Sequence, residues 1–143
     1  MKMHATPVKD IMTRQVETLD PNDDVDLADM LMRLDHLHHL PVVDDGQLVG
    51  LVSQRDLARH QMSPSTGLSP EAQRRANLKV KVRDMMVESV TTISPDLTLL
   101  QAAELMRERY LGCLPVLEDG ELVGIVTGSD LLSAFISAMR DGV

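Results

Sequence analysis

The stretch Leu40-Pro41-Val42-Val43-Asp44-Asp45-Gly46-Gln47-Leu48-Val49-Gly50-Leu51-Val52-Ser53-Gln54-Arg55-Asp56 returns as Leu114-Pro115-Val116-Leu117-Glu118-Asp119-Gly120-Glu121-Leu122-Val123-Gly124-Ile125-Val126-Thr127-Gly128-Ser129-Asp130. Each copy holds two short apolar runs parted by Asp-Gly, the pair that suits the positive-φ positions of a type I′ turn, so each predicts a tight antiparallel hairpin. The runs are apolar enough to be covered on both sides. Both end on a hydroxyl residue three places before an aspartate, Ser53-x-x-Asp56 and Thr127-x-x-Asp130, a pattern that starts a helix.

Outward from the hairpin the repeat continues upstream without a gap, aligning residues 8–57 with 82–131. Leu31-Met32-Arg33 matches Leu105-Met106-Arg107, and Asp10, Met12, Val16, Thr18 and Pro21 match Asp84, Met86, Val90, Thr92 and Pro95. A repeat of this length is one supersecondary unit, too small to bury its own apolar face comfortably. Each copy reads as a helical turn (8–12; 82–86), then a strand near 16–19 or 90–93, an amphipathic helix, the hairpin and a second helix. Leu99, Ala102, Ala103, Met106 and Tyr110 mark one helical face in the second copy. Leu131, Leu132, Phe135, Ile136 and Met139 carry the last helix nearly to the end. The class is α/β (α+β), with β-α-β-β-α in each of two domains, 8–60 and 82–140. Residues 61–81 connect them and hold a short helix over 70–77, with Ser69 as N-cap.

The net charge of −8 opposes nucleic acid and anionic membrane surfaces. One Phe, one Tyr and no Trp leave a core of aliphatic residues and methionine, so any bound base is gripped by aliphatic side chains. Met30, Met32, Met106 and Met139 are expected as core filler. The single Cys113 allows no internal disulfide, and residues 1–7 contain no apolar signal segment, which together point to the cytoplasm.

With Asp-Ile-Met-Thr and Asp-Met-Met-Val opening the copies, Leu-Pro-Val at their centres, and Gly50-Leu-Val-Ser53-Gln-Arg-Asp56 and Gly124-Ile-Val-Thr127-Gly-Ser-Asp130 closing them, the chain resembles the CBS domain pair, or Bateman module. The resemblance implies two copies packed through their sheets about a pseudo-two-fold axis. It also implies clefts between the two motifs that bind AMP, ADP, ATP or S-adenosylmethionine, and a disc-like homodimer. No cofactor is then required, and the adenine nucleotide is a regulatory ligand, its status passed to an unnamed protein partner.

In such modules the closing aspartate holds the ribose, which puts Asp56 and Asp130 in that role and Ser53 and Thr127 beside the phosphate or ribose. The chemistry agrees, because a carboxylate accepts charge-assisted bonds from both hydroxyls of a cis-diol. Helix capping accounts for the same four residues without a ligand. His38 and His39, with Arg55, would face phosphates in the first copy; Gly112, Cys113 and Ser129 stand there in the second. The first cleft is therefore expected to take the more highly charged ligand. Metal binding by His36, His38 and His39, or histidines with no role, are the alternatives; His38 and His39, consecutive at a strand entry, point to opposite sides.

The resemblance further assigns Met12, Thr13, Val16, Glu17 and Thr18, and Met86, Val87, Val90, Thr91 and Thr92, to the cleft lining. Leu37, Leu51, Leu111 and Ile125 would clamp the base. No nucleophile–base pair, Gly-rich phosphate loop or carboxylate cluster stands out, so the expected role is regulation and not catalysis. A scaffold with empty clefts is the other reading.

Overall fold

The computed structural model describes residues 3–61, 69–72, 75 and 80–142. Its two hairpins form as the Asp-Gly pairs require. Asp45 and Gly46 take φ of 51° and 80°, and Asp119 and Gly120 52° and 81°, the left-handed pairs of a two-residue turn. Strands β1 (His39–Asp44) and β2 (Gln47–Ser53) pair antiparallel from His39 opposite Ser53 to Asp44 opposite Gln47. Strands β3 (Cys113–Glu118) and β4 (Glu121–Thr127) pair in the same register, each ladder shifting once, after Val42 and after Val116.

The upstream strand of each copy is shorter than expected. It reduces to one parallel bridge, Leu19 with Val42 and Ile93 with Val116. Beyond Leu19 the aspartates turn the chain away, Asp20 Oδ1 accepting from the Asn22 N–H and Asp23 Oδ2 from the Asp20 N–H, an Asx-type bend that competes with a ladder.

Helix α1 (Val25–Leu34) starts at Asp24, whose Oδ1 accepts from the Leu27 N–H, and α3 (Leu99–Arg109) starts on a capping box of Thr98 and Gln101. They bury Val25, Ala28 and Met32, and Leu99, Ala102 and Met106. Tyr110 does not share that face: α3 ends before it, and it caps the helix at φ 55° with its ring in solvent. Met30 and Met139 are exposed too, one on the outer side of α1 and the other on that of α4 (Gly128–Arg140), so only Met32 and Met106 of the four act as filler. Helix α2 (Gln54–Gln61) follows β2 directly. The connection's helix over 70–77 falls partly outside the described residues; within them, the Ser69 hydroxyl accepts from the Ala72 N–H.

The compact units do not follow the repeat. One joins the chain up to Val16 with the chain from Thr91 onward, and the other is Glu17–Val90. The opening segment of each copy has crossed into the other copy's unit. Thr13 exchanges two backbone bonds of 2.9 Å with Ile125 of β4, and Val87 exchanges two of 2.9 Å with Leu51 of β2. The turns Val8–Asp10 and Val82–Asp84 are anchored likewise, Val8 N–H on the Leu97 carbonyl and Val82 N–H on that of Asp23. Each crossing puts a fully buried valine, Val8 or Val82, into the host core with Leu114 or Leu40, each such burial contributing about 1.5–3 kcal/mol.

Candidate functional site

The crossings decide which predicted residues meet. Asp130 shares a unit with Met12, Thr13, Val16, Thr91, Thr92, Leu111, Ile125, Thr127 and Ser129. Asp56 shares one with Glu17, Thr18, Leu37, His38, His39, Leu51, Ser53, Arg55, Met86, Val87 and Val90. That Thr13 would stand with Asp130, and Val87 with Asp56, carries no local signal in the sequence, because the repeat makes both pairings look alike.

Both aspartates close a capping box. Ser53 donates its N–H and its hydroxyl to Asp56 Oδ2 at 2.9 and 2.8 Å, and the Asp56 N–H returns a bond to Ser53 Oγ at 3.1 Å. Thr127 does the same for Asp130 Oδ2 at 2.8 and 3.1 Å, with the return bond at 3.3 Å. Capping is thus real in both copies. It spends one oxygen of each carboxylate and fixes the direction of the other.

The remaining oxygens differ. Asp130 Oδ1 accepts the Thr13 hydroxyl at 3.1 Å. Asp56 Oδ1 accepts no hydrogen bond among the described residues, the residue corresponding to Thr13 being Val87, which has no hydroxyl.

Around Asp56 the histidines are ordered by their neighbours. Gln54, which the sequence did not single out, donates its N–H to the His38 carbonyl, and its Oε1 lies 2.7 Å from His38 Nδ1. An amide oxygen only accepts, so Nδ1 carries the proton and Nε2 is left for another partner. His39 is half-buried opposite Ser53, and burial, then the neighbouring His38, holds its pKa below the usual value although Asp56 pulls it upward. It is a neutral imidazole at neutral pH. Arg55 lies exposed on the first turn of α2, in no ion pair among the described residues. Glu17 is exposed and its carboxyl is raised by a hydrogen bond with Asp35.

The residues that correspond to His38, His39 and Arg55 near Asp130 are Gly112, Cys113 and Ser129, none of them basic. Gly112 and Ser129 are exposed, and the buried thiol of Cys113 is pushed up to about 12 by desolvation, so it stays neutral. Arg14, in the same unit, directs its guanidinium to the Lys9 carbonyl at 2.9 Å.

Of the lining residues, Met12 is buried, and Met86 is half-buried against the core of the Asp56 unit. A Cβ placed on Gly124 or Gly50 would lie 2.5 Å from the sulfur of Met12 or Met86, so these glycines let the thioethers seat on the hairpins. Ile125 is buried; Val16, Leu37, Leu51, Val90, Thr91 and Leu111 are half-buried; Thr13, Thr18, Val87 and Thr92 are exposed. Among the described residues no three His, Cys, Asp or Glu side chains gather as metal ligands, and no helix is long and apolar enough to cross a membrane.

The family model of the CBS domain matches residues 8–63 and 82–137. A CBS domain-containing protein of Dictyostelium discoideum is 35% identical over 135 residues, which cover 93% of each chain. Among solved structures, CBSX2 in complex with AMP aligns at a TM-score of 0.78 and 30% identity over 94% of this chain and 99% of that one. The CBS domain pair of protein MJ0100, in complex with 5′-methylthioadenosine and S-adenosyl-L-methionine, aligns at 0.76 and 27% over 93% and 98%.

Proposed function

The chain belongs to the CBS domain family as a tandem pair, and from that premise we propose a regulatory module that binds an adenosine-containing ligand at Asp56 and catalyses no reaction. One observation carries the reading. The Asp56 carboxylate is held by its capping box with one oxygen spent and the other open, a preset acceptor for ribose hydroxyls. Arg55 supplies donors for phosphate oxygens beside it, and the imidazolium form of His38, anchored through Nδ1 to Gln54, adds one from Nε2. The base rests on aliphatic surface, Leu37 and Leu51 with the exposed Val87, in place of the missing aromatics. The complexes of CBSX2 with AMP and of MJ0100 with S-adenosyl-L-methionine support this ligand class.

The lone unpaired cysteine favours a cytoplasmic location. The outward row Leu132, Phe135, Ile136 and Met139, spaced on one side of α4, favours a homodimer.

A thermal-shift panel of AMP, ADP, ATP, S-adenosylmethionine and NAD tests the reading, since a ligand of the folded state raises Tm. At a hundredfold excess over Kd the gain is about 2.7 kcal/mol. At least one adenosine compound should raise Tm in the wild type and raise it much less in D56A. A flat response to all five would leave the capping boxes as helix starts in an interaction scaffold.

A further inference from the structure

We propose that Thr13 is an internal competitor for the ribose anchor Asp130, a specificity-determining residue that weakens one ligand site of the chain relative to the other. The inference rests on the reading that Asp56 and Asp130 receive ribose hydroxyls. Both carboxylates spend Oδ2 on the hydroxyl and N–H of their own capping residue, so Oδ1 is what remains for a ligand. At Asp130 that oxygen already accepts from Thr13 at 3.1 Å. A ribose arriving there finds one acceptor site of Oδ1 already taken and must displace Thr13 to place both hydroxyls of its diol, whereas at Asp56 both sites of Oδ1 are open.

Thr13 is held to this place by the backbone. Its N–H and carbonyl both pair with Ile125, five residues before Asp130, so the hydroxyl is aimed at the helix start by a ladder and not by a loose side chain. Val87 pairs with Leu51, five residues before Asp56, in the same fashion, and brings a methyl where Thr13 brings a hydroxyl. Arg14, which could otherwise recruit an anion beside Asp130, is turned to the Lys9 carbonyl, and its counterpart in the other copy is Glu88.

The test exchanges the two residues, each variant importing what the other copy already tolerates at that place. AMP and S-adenosylmethionine are titrated calorimetrically into proteins with one site disabled. In the D56A background, T13V should tighten binding at Asp130 by about three- to tenfold, the worth of one net hydrogen bond. T13S, which keeps the hydroxyl, should leave it weak. In the D130A background, V87T should weaken binding at Asp56 by a similar factor. Binding that T13V leaves unchanged or weakens would overturn the competition while the nucleotide reading stands. Absence of binding by the wild type and every variant would overturn the nucleotide reading itself, and this inference with it.

Discussion

The Asp56 unit and the Asp130 unit share a hairpin, a capping box and a guest segment from the other copy, yet they present different surfaces to a ligand. Near Asp56 an open carboxylate oxygen is accompanied by Arg55 and the imidazoles of His38 and His39; near Asp130 the oxygen is taken by Thr13, and Ser129, Gly112 and Cys113 stand in the corresponding places. A repeat conserves what the fold needs, the turn and the helix start, because those bonds lie within three residues of each other. It leaves free the residues that meet only after the chain has crossed from one unit to the other.

The crossings themselves give the largest expected difference in stability. At Gly124 an added Cβ would lie 2.5 Å from Met12 Sδ and 3.1 Å from the Thr13 carbonyl, so side chain and backbone both resist it. At Gly50 the close atoms all belong to the side chain of Met86, which can swing aside. G124A should therefore cost about 2–3 kcal/mol in urea unfolding and G50A about 1 kcal/mol. Equal costs, or a larger one for G50A, would show that the guest segments are held otherwise.

A smaller difference is expected with pH. His39 has its pKa lowered in the folded state, so the unfolded chain takes up the proton first as pH falls. Stability from this source is complete above about pH 6.5, the ordinary histidine value, and is lost as pH drops below it through the folded value. The counterpart Cys113, with its thiol pushed up to about 12, stays neutral throughout and adds no such slope. Thermal melts between pH 7 and 5.5 should show Tm falling with acid in the wild type and falling less in H39Q. A slope that H39Q leaves unchanged would assign the titration to other groups.

The parts legible in the sequence are local in origin. Asp45-Gly46 and Asp119-Gly120 announced their turns because only a few residues accept two successive positive φ angles. The boxes Ser53-x-x-Asp56 and Thr127-x-x-Asp130 announced helix starts because their bonds span three residues. The upstream strand is shorter than its residues suggest, since Val16 to Leu19 is strand-like but the aspartates beyond it bend the chain. Tyr110, at helical spacing from Met106, passed for a core residue because periodicity does not reveal where a helix stops. The meeting of Thr13 with Asp130 was out of reach: it depends on backbone pairing between residues 13 and 125, and a symmetric repeat offers 13 with 51 as an equal choice.

The inequality of the two aspartates is tested most directly by titrating AMP into D56A and D130A side by side in a calorimeter. The capping loss is common to both variants, about 1 kcal/mol of stability each, so it cancels from the comparison. D130A should keep the wild-type affinity for its tightest site and D56A should lose it by about a hundredfold, as two charge-assisted bonds disappear. Equal losses in the two variants, or a loss confined to D130A, would contradict the account.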